Sequence, residues 1–470
     1  MVPKRSLIWD FVFAVLYLGI GLFFFFIPGL RLVGELSDPA LRSGAIPQAA
    51  WRLHAHLAPR YAAWAQERVA SKQAAQLNNQ DVPSTEWPLF GTVFYLLSLE
   101  SLQQAWQADH TLAAVAPAVY ARPAIEASVN LVTDPNHATW VEDKYGEDYL
   151  DREDLFYRFL RISAMASYTH LTGNPRLVKT LRDEVDALST EIDASPTGLL
   201  EDYPGECYPG DVVAAIAAIR RADAVLGTDH SAFVARALRG FQPPQAGVYG
   251  LPPFMASATS GMPETEPRGS GNSYILNFSP EIWPAAAREW YQSYDAHYWQ
   301  RGMGIAGFRE FSRDTPNVNT FADVDSGPVI FGFGVSASAF GVGAARVNGH
   351  MDEAGPLAAE MLVTSWPIGD GTLLLPRLLS YTSGAPYLGE AGILFCLTRQ
   401  PLGGVQKEGE SVMTPFVWVM LLFYFGMAAF FMRSFVVLLL SRFRPMPKKP
   451  DGRDALAGDK MPRKTAEHSG

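Results

Sequence analysis

At 470 residues, the chain is long enough for one large domain or two to three average ones, and 48% of its residues are apolar while only 18% are charged. The formal net charge is −10. Because an acidic surface repels phosphate backbones, we expect no nucleic-acid partner. The two cysteines, Cys207 and Cys396, are too few for a structural zinc site, and they leave open one disulfide or two free thiols.

Two long apolar segments lie near the ends of the chain. Residues 11–30 contain no charge and residues 416–440 contain only Arg433, so each is long enough to cross a bilayer as a helix. Lys4 and Arg5 precede the first segment, and a basic tail follows the second. The positive-inside rule then predicts two cytoplasmic termini at a bacterial inner membrane. A cleaved signal peptide is the alternative for the first segment.

These segments divide the chain into four predicted parts. Residues 1–34 form an N-terminal transmembrane anchor, residues 35–410 an extracytoplasmic domain, and residues 411–441 a C-terminal transmembrane helix. Residues 442–470 are predicted to be a disordered cytoplasmic tail whose basic residues face anionic lipid. The lipid bilayer is therefore an expected partner, whereas the sequence leaves the oligomeric state open.

Helical periodicity predominates between the two segments. The predicted helices cover residues 46–75, 86–99, 112–132, 151–173, 175–192, 212–226, 231–240, 280–293, 295–311, 328–347 and 353–365. No alternation is sustained enough to predict a sheet. Helix pairs joined in turn by short connections and long polar loops predict an all-α fold, an (α/α)6 barrel whose long loops gather at one mouth. A helical bundle without a mouth is the alternative.

The segment from Thr197 to Asp211, TGLLEDYPGECYPGD, is the most unusual of these loops. Its two Tyr-Pro-Gly triplets predict sharp turns, since Pro fixes φ and Gly accepts positive φ. Glu206 lies between the triplets, and Asp211 begins the next helix. We predict that Glu206 is a general acid or base and that Asp211 is a further catalytic residue. The alternatives are an ordinary loop acid and a helix cap.

Acidic or amide side chains stand beside aromatic ones in five predicted loops, an arrangement that suits sugar rings. Asp325 or Glu142 is the predicted catalytic partner of Glu206, because carboxyl groups in one pocket split their pKa values. The predicted substrate-binding residues are Glu86, Trp87, Trp140, Tyr145, Tyr203, Tyr208, Asn272, Tyr274 and Asp323. The sequence DVDSG at 323–327 lacks the closing Glu of a calcium loop, and we predict neither a metal nor a cofactor.

Three stretches resemble the catalytic domain of the linalool dehydratase-isomerase family: residues 140–173, EDYPGECYPGDVVAA from Glu201, and DVDSGPVIFGFGVSASAFGVGAAR at 323–346. The resemblance covers roughly residues 80–400. It implies the α/α six-barrel fold that many glycoside hydrolases and polysaccharide lyases share. The active-site histidine and two cysteines of that family match Leu160, Glu201 and Gly210 here, so the chain departs from the family at those positions.

Three functions follow as hypotheses. The first is a carbohydrate-active enzyme, a glycoside hydrolase or lyase that uses paired carboxylates. The second is a hydro-lyase or isomerase acting on a lipid-like alcohol, which the resemblance implies and a membrane anchor allows. The third is an envelope scaffold without activity. A deep apolar pocket lined by Phe and Met favours the second hypothesis, and scattered acidic residues favour the third.

Overall fold

The structure is a computed structural model that describes residues 7–76, 82–136, 142, 146, 154–315, 326–381, 384–402 and 411–440. Four predicted site residues, Trp140, Tyr145, Asp323 and Asp325, lie outside these ranges, as does the predicted tail at 442–470. The described residues are mostly helical, as the all-α prediction requires.

Nineteen α-helices are described within these ranges. They are α1 (Leu7–Ile20), α2 (Ile27–Leu36), α3 (Ala40–Ser43), α4 (Gln48–Ala70), α5 (Val82–Thr85), α6 (Trp87–Ala108), α7 (Pro117–Tyr120), α8 (Arg122–Val132), α9 (Leu155–Thr172), α10 (Val178–Ala194), α11 (Pro209–Leu226), α12 (Ser231–Ala237), α13 (Gly269–Ile282), α14 (Pro284–Tyr298), α15 (Val335–Asn348), α16 (Met351–Ser365), α17 (Leu374–Tyr381), α18 (Leu388–Thr398) and α19 (Pro415–Leu440). Gly21–Phe26 is a π-helix, and 3₁₀ turns occupy Gln73–Gln76, His110–Leu112, Pro175–Leu177, Leu238–Phe241 and Val248–Gly250.

Two short strand pairs interrupt the helical pattern. Strand β1 (Trp299–Gly302) pairs with β2 (Ile305–Phe308), and β3 (Val329–Ile330) pairs with β4 (Phe333–Gly334), both antiparallel. The two residues that join each pair have positive φ, which matches the twist of a tight hairpin. The predicted helix at 295–311 is therefore wrong beyond Tyr298, because the chain turns into a hairpin there.

Proline residues account for two further differences from the predicted helices, apart from residues 328–334, where the strand pair β3–β4 replaces the start of the predicted helix at 328–347. The region predicted as one helix at 112–132 divides into a 3₁₀ turn and two helices, which begin at or before Pro117 and Pro123. The predicted helix at 280–293 also divides, because α13 ends at Ile282 and α14 begins at Pro284. Since Pro lacks an N–H and fixes φ, each of these positions favours the first turn of a new helix.

Six helices contact one another in a closed series. Helix α6 contacts α9, which contacts α11, and the contacts continue through α13, α15 and α18 back to α6. The flanking helices α4, α8, α10, α12, α14 and α16 each precede one of these six in the chain and pack against at least one of them. Most of the buried apolar residues belong to a single core cluster that involves both sets. We refer to α6, α9, α11, α13, α15 and α18 as the six-helix series.

Trp9–Ser43 and Pro415–Leu440 are two helical segments long and apolar enough to cross a membrane. They pack directly against each other. The rings of Phe25 and Phe431 stack with their centroids 5.6 Å apart, and Gly21 lies against the side chain of Phe431. Trp366 joins the pair to the body, because its ring lies 5.5 Å from that of Phe25 and its indole N–H donates to the Phe24 carbonyl oxygen at 2.8 Å.

We expect Gly21→Ala to weaken the packing of the two apolar segments. An added Cβ would lie 2.9 Å from the Cβ of Phe431, closer than carbon atoms pack, whereas a Cβ at Gly19 would meet nothing within 4 Å. Such overpacking costs about 1–3 kcal/mol. Thermal unfolding in detergent should show a lower midpoint for Gly21→Ala than for the matched control Gly19→Ala. Equal midpoints for the two variants would contradict the packing described.

Glu353 is a buried acid whose carboxyl group accepts a hydrogen bond from the Tyr291 hydroxyl. Burial, together with Asp295, raises the pKa of Glu353 to about 9. The folded protein therefore keeps a proton that the unfolded chain releases near pH 4.5, and its stabilising effect is lost as the pH rises through about 9.

Glu353→Gln, which cannot titrate, should remove part of this pH dependence. We expect the free energy of unfolding of wild type to fall more steeply than that of the variant between about pH 5 and about pH 9. Chemical denaturation across that range measures both slopes, and parallel slopes would show that Glu353 is not protonated in the folded state.

Candidate active site

A cavity of about 570 Å³ lies at one end of the six-helix series. Residues from the first turns of these helices line it, among them Trp87 of α6, Phe156 of α9, Gly210 of α11, Gly271 of α13 and Leu388 of α18. Because the same end of each helix reaches the cavity, the helices run in one direction. We call this the amino-terminal end of the series.

Aromatic side chains form one wall of the cavity. The ring centroid of Phe90 lies 4.3 Å from that of Phe94, 5.8 Å from Phe156 and 5.6 Å from Tyr274. Phe340 extends the wall, with its ring 5.5 Å from Phe94. Further apolar lining comes from Phe254, Ile275, Ala339, Met361 and Ile393. A pocket with this lining suits an apolar molecule better than a highly hydroxylated one.

Carboxyl and phenol groups form a second wall. The Tyr203 hydroxyl donates to a carboxylate oxygen of Glu86, and the Tyr208 hydroxyl donates to Glu206 Oε2 at 3.1 Å. Asp211 also lines the cavity. We call Glu86, Glu206 and Asp211 the lining carboxyls.

The backbone of the loop before α11 fixes the positions of these groups. The amide of Glu206 donates to the Tyr203 carbonyl oxygen at 2.8 Å, and the amide of Tyr203 donates back to Glu206. Gly205 completes the turn at φ 81°, a conformation that favours glycine. The amide of Tyr208 then donates to Asp202 Oδ2 at 2.8 Å. The turn predicted from the first Tyr-Pro-Gly triplet is therefore present.

Asp202 lies behind this wall and is fully buried. Burial, followed by the charge of Asp211, raises the pKa of Asp202 well above its usual range. Burial and the charge of Glu86 likewise raise the pKa of Tyr203, while burial and Asp211 raise that of Tyr274. These shifts favour the protonated form of Asp202, and the two phenols remain hydrogen-bond donors.

The structure brings seven of the predicted site residues together at this cavity. They are Glu86, Trp87, Tyr203, Glu206, Tyr208, Asp211 and Tyr274. Asn272 is buried but is not among the lining residues, and its side-chain amide donates to the backbone oxygens of Pro252 and Arg268. Glu142 is exposed and is also not among them.

Sequence reasoning missed Asp202 as a site residue and missed the aromatic wall. Asp202 has two acidic neighbours in the chain within four residues, and only its burial distinguishes it from them. Phe90 and Phe94 are four residues apart on α6, a spacing that ordinarily indicates a core-facing stripe. The sequence feature that could have identified them is their position near the start of α6, close to Glu86.

Both cysteines are free and buried in the structure. Cys396 lines the cavity, and burial raises its pKa to about 12, so its thiol stays protonated. Burial also raises the pKa of Cys207, which is not among the lining residues. Of the three positions that the predicted resemblance pairs with functional residues of the dehydratase-isomerase family, Leu160 is fully buried in the core and Gly210 lines the cavity.

A second cavity, of about 830 Å³, lies at the opposite end of the six-helix series. Arg221 binds Glu281 through two hydrogen bonds of 2.7 and 2.8 Å, and Arg399 contacts the same carboxylate. Although burial raises the pKa of Glu281, the two arginines lower it to about 2. This ion-paired cluster links α11, α13 and the chain after α18 at their carboxyl-terminal ends.

No family model matches the chain, and no curated protein matches it. The resemblance to the linalool dehydratase-isomerase family therefore stays a prediction from the residues quoted above. The function has to be inferred from the geometry of the cavity.

The buried position of Asp202 gives a prediction about stability. Asp202→Asn keeps an oxygen that can accept from the Tyr208 amide, in a neutral group of the same shape as a protonated acid. Asp202→Ala leaves that amide without its acceptor, which costs about 1–3 kcal/mol. We expect denaturant unfolding at neutral pH to show a substantial loss for Asp202→Ala and a small one for Asp202→Asn. An equal loss would mean that Asp202 is ionised.

Proposed function

We propose that the six-helix series is the inner ring of an (α/α)6 barrel and that the flanking helices form its outer ring. The closed series of contacts and the common direction of the helices support this arrangement. Each flanking helix precedes its series helix in the chain, as alternating outer and inner helices do. In this proposal, the cavity is the mouth of the barrel.

The function that the cavity supports best is a hydro-lyase or isomerase acting on an apolar alcohol. The observation that carries this proposal is the combination of an aromatic wall with three lining carboxyls in one cavity of about 570 Å³. An apolar chain would pack against Phe90, Phe94 and Phe340, while a single hydroxyl group would reach the carboxyls and phenols. The convergence of these acids favours an enzyme over a scaffold.

The lining carboxyls can supply the proton transfers that elimination of water requires. A protonated carboxyl gives its proton to the substrate hydroxyl, the C–O bond breaks and water leaves. A carboxylate removes a proton from the neighbouring carbon, and the electrons of that C–H bond form the double bond. We assign these roles to Glu206 and Asp211, with Tyr208 orienting Glu206.

A carbohydrate-active enzyme is the second candidate, favoured by the position of Trp87 and Tyr208 beside the same carboxyls. Its proposed catalytic pairs are less well supported. Glu142 is exposed and is not among the lining residues, and Asp325 lies outside the described residues. The aromatic wall would leave most sugar hydroxyls without hydrogen-bond partners.

The two apolar segments support a membrane-anchored enzyme with its barrel outside the cytoplasm. The contact between the segments is compatible with two antiparallel spans, which would place both termini on one side. The positive-inside rule then assigns that side to the cytoplasm of a bacterial inner membrane.

The test is a product assay with the full chain in detergent or lipid nanodiscs. Isoprenoid alcohols and fatty alcohols form one panel, and envelope glycans form the other. We expect an alcohol to be dehydrated or isomerised, as detected by gas chromatography and mass spectrometry. Glu206→Gln and Asp211→Asn should each lower the rate by about 10²- to 10⁴-fold.

Glu264→Gln is the matched control, because Glu264 is an exposed acid that is not among the lining residues. Its rate should equal that of wild type. Turnover of a glycan in place of an alcohol would favour the second candidate. Rates unaffected by both Glu206→Gln and Asp211→Asn would contradict the assigned roles.

A further inference from the structure

The cavity and the two apolar segments lie at the same end of the six-helix series. Helix α16 ends at Ser365. Like the other flanking helices, it ends near the amino-terminal end of the series, because the chain then continues to the start of the next series helix. The next residue, Trp366, packs against Phe25 of the first segment and Phe423 of the second. The two segments therefore pass the amino-terminal end of the series, where the cavity lies.

The direction in which the segments leave the body follows from their other contacts. Helix α2 runs along the body, where Arg31 donates to the Ile368 carbonyl oxygen at 3.2 Å and Arg52 pairs with Glu35 at 3.0 Å. Earlier residues of the first segment pack on the second, as Tyr17 does on Phe431. Beyond that contact both segments carry exposed apolar side chains, at Trp9, Phe11, Leu16, Val437 and Leu440. The segments thus project past the cavity end.

A short amphipathic helix lies beside the cavity at this end. Helix α17 is held to the start of α18 by a hydrogen bond from Arg377 to Glu390 and another from the Gly389 amide to the Ser380 hydroxyl at 2.9 Å. Gly389 also lines the cavity. The outward residues of α17 are apolar and exposed, namely Leu375, Leu378, Leu379 and Tyr381.

The tip of the second hairpin adds one more exposed apolar side chain at this end. Phe331 occupies the turn between β3 and β4, shortly before the start of α15, and is 69% exposed. The tip of the first hairpin lies further back along α16, because Arg301 donates to the Asp352 carbonyl oxygen at 3.2 Å. We call Phe331 and the four outward residues of α17 the apolar rim.

We propose that the apolar rim rests in the surface of the lipid bilayer and that the cavity takes its substrate directly from the membrane. The bilayer is the occupant that fits, because the two segments adjoining the rim are long and apolar enough to span it. A patch of exposed apolar side chains around a cavity mouth is typical of a surface that contacts a membrane.

This inference names the substrate class of the proposed function and rests on it. An alcohol that enters from the bilayer is a long-chain isoprenoid or fatty alcohol that is dissolved in lipid. The apolar chain can pass from lipid to the aromatic wall without crossing water. The contact of the rim with lipid is a separate claim, which can be measured without any activity.

The depth of the rim is tested with two fluorescent labels on the full chain in vesicles. Leu379→Cys carries the label on the rim, and Val119→Cys carries it on α7, which follows the carboxyl-terminal end of α6 at the opposite end of the series. The two positions are matched in exposure, at 68% and 65%. The native cysteines are buried, so labelled wild type gives the background.

Nitroxide-bearing lipids should quench the label at position 379 several-fold more than the label at position 119. Stronger quenching of the label at position 379 supports contact between the rim and lipid. Equal quenching at the two positions would overturn the inference, whatever the protein's activity.

Entry from the membrane is tested with a diazirine-bearing isoprenoid alcohol too apolar to dissolve in water. Irradiation should label peptides of the cavity wall, such as those containing Phe90 and Phe340. The double variant Leu378→Gln, Leu379→Gln should lower this labelling about tenfold when the alcohol is supplied in vesicles, and should not lower it in detergent micelles. Val115→Gln, Val119→Gln, at exposed positions of the other end, is the matched control.

The outcomes separate the two proposals. An equal fall in vesicles and micelles would overturn entry through the rim. Failure to label the cavity in either format, with the label at position 379 still quenched deeply, would contradict the proposed function and leave the membrane contact in place.

Discussion

The common direction of the six-helix series is the constraint on which the site depends. It places the amino-terminal ends of these helices, with their partial positive charge, around one cavity. That end carries the lining carboxyls together with Asp202. These acids thus lie where the helix dipoles favour negative charge. At the opposite end, where the partial charge is negative, Arg221 and Arg399 pair with Glu281.

Helix direction alone does not make such a group of acids stable, and hydrogen bonding and protonation also contribute. Tyr203 and Tyr208 each donate a hydroxyl to a lining carboxyl. Burial and Asp211 raise the pKa of Asp202, which favours its protonated form and so reduces repulsion. Its oxygen accepts from the Tyr208 amide, and this contact holds the loop that carries Glu206. Asp202 thereby positions an acid that is assigned a proton-transfer role.

The sequence predicted the parts of this arrangement that depend on local rules. Helical periodicity indicated most of the helices, and the C-terminal helix predicted at 411–441 overlaps the observed α19 at Pro415–Leu440. The first Tyr-Pro-Gly triplet indicated the turn beside Glu206. The hairpin at Trp299–Phe308 was missed because its strands are four residues long, too short for an alternating pattern to stand out from a helical one. The burial of Asp202 and the wall formed by Phe90, Phe156 and Phe340 depend on helices far apart in the chain, which periodicity does not bring together.

The apolar wall constrains the chemistry as much as the acids do. Charge separation is costly in an apolar cavity, so a proton must be transferred over a short distance between groups already in place. The raised pKa of Tyr203 keeps its phenol a donor to Glu86, and the raised pKa of Cys396 keeps that thiol neutral. If the predicted resemblance to the dehydratase-isomerase family holds, the positions of its cysteines are occupied here by Glu201 and Gly210, which carry no thiol. In the proposed function, the carboxyl groups at the edge of the aromatic cavity would exchange protons with the single hydroxyl of the alcohol.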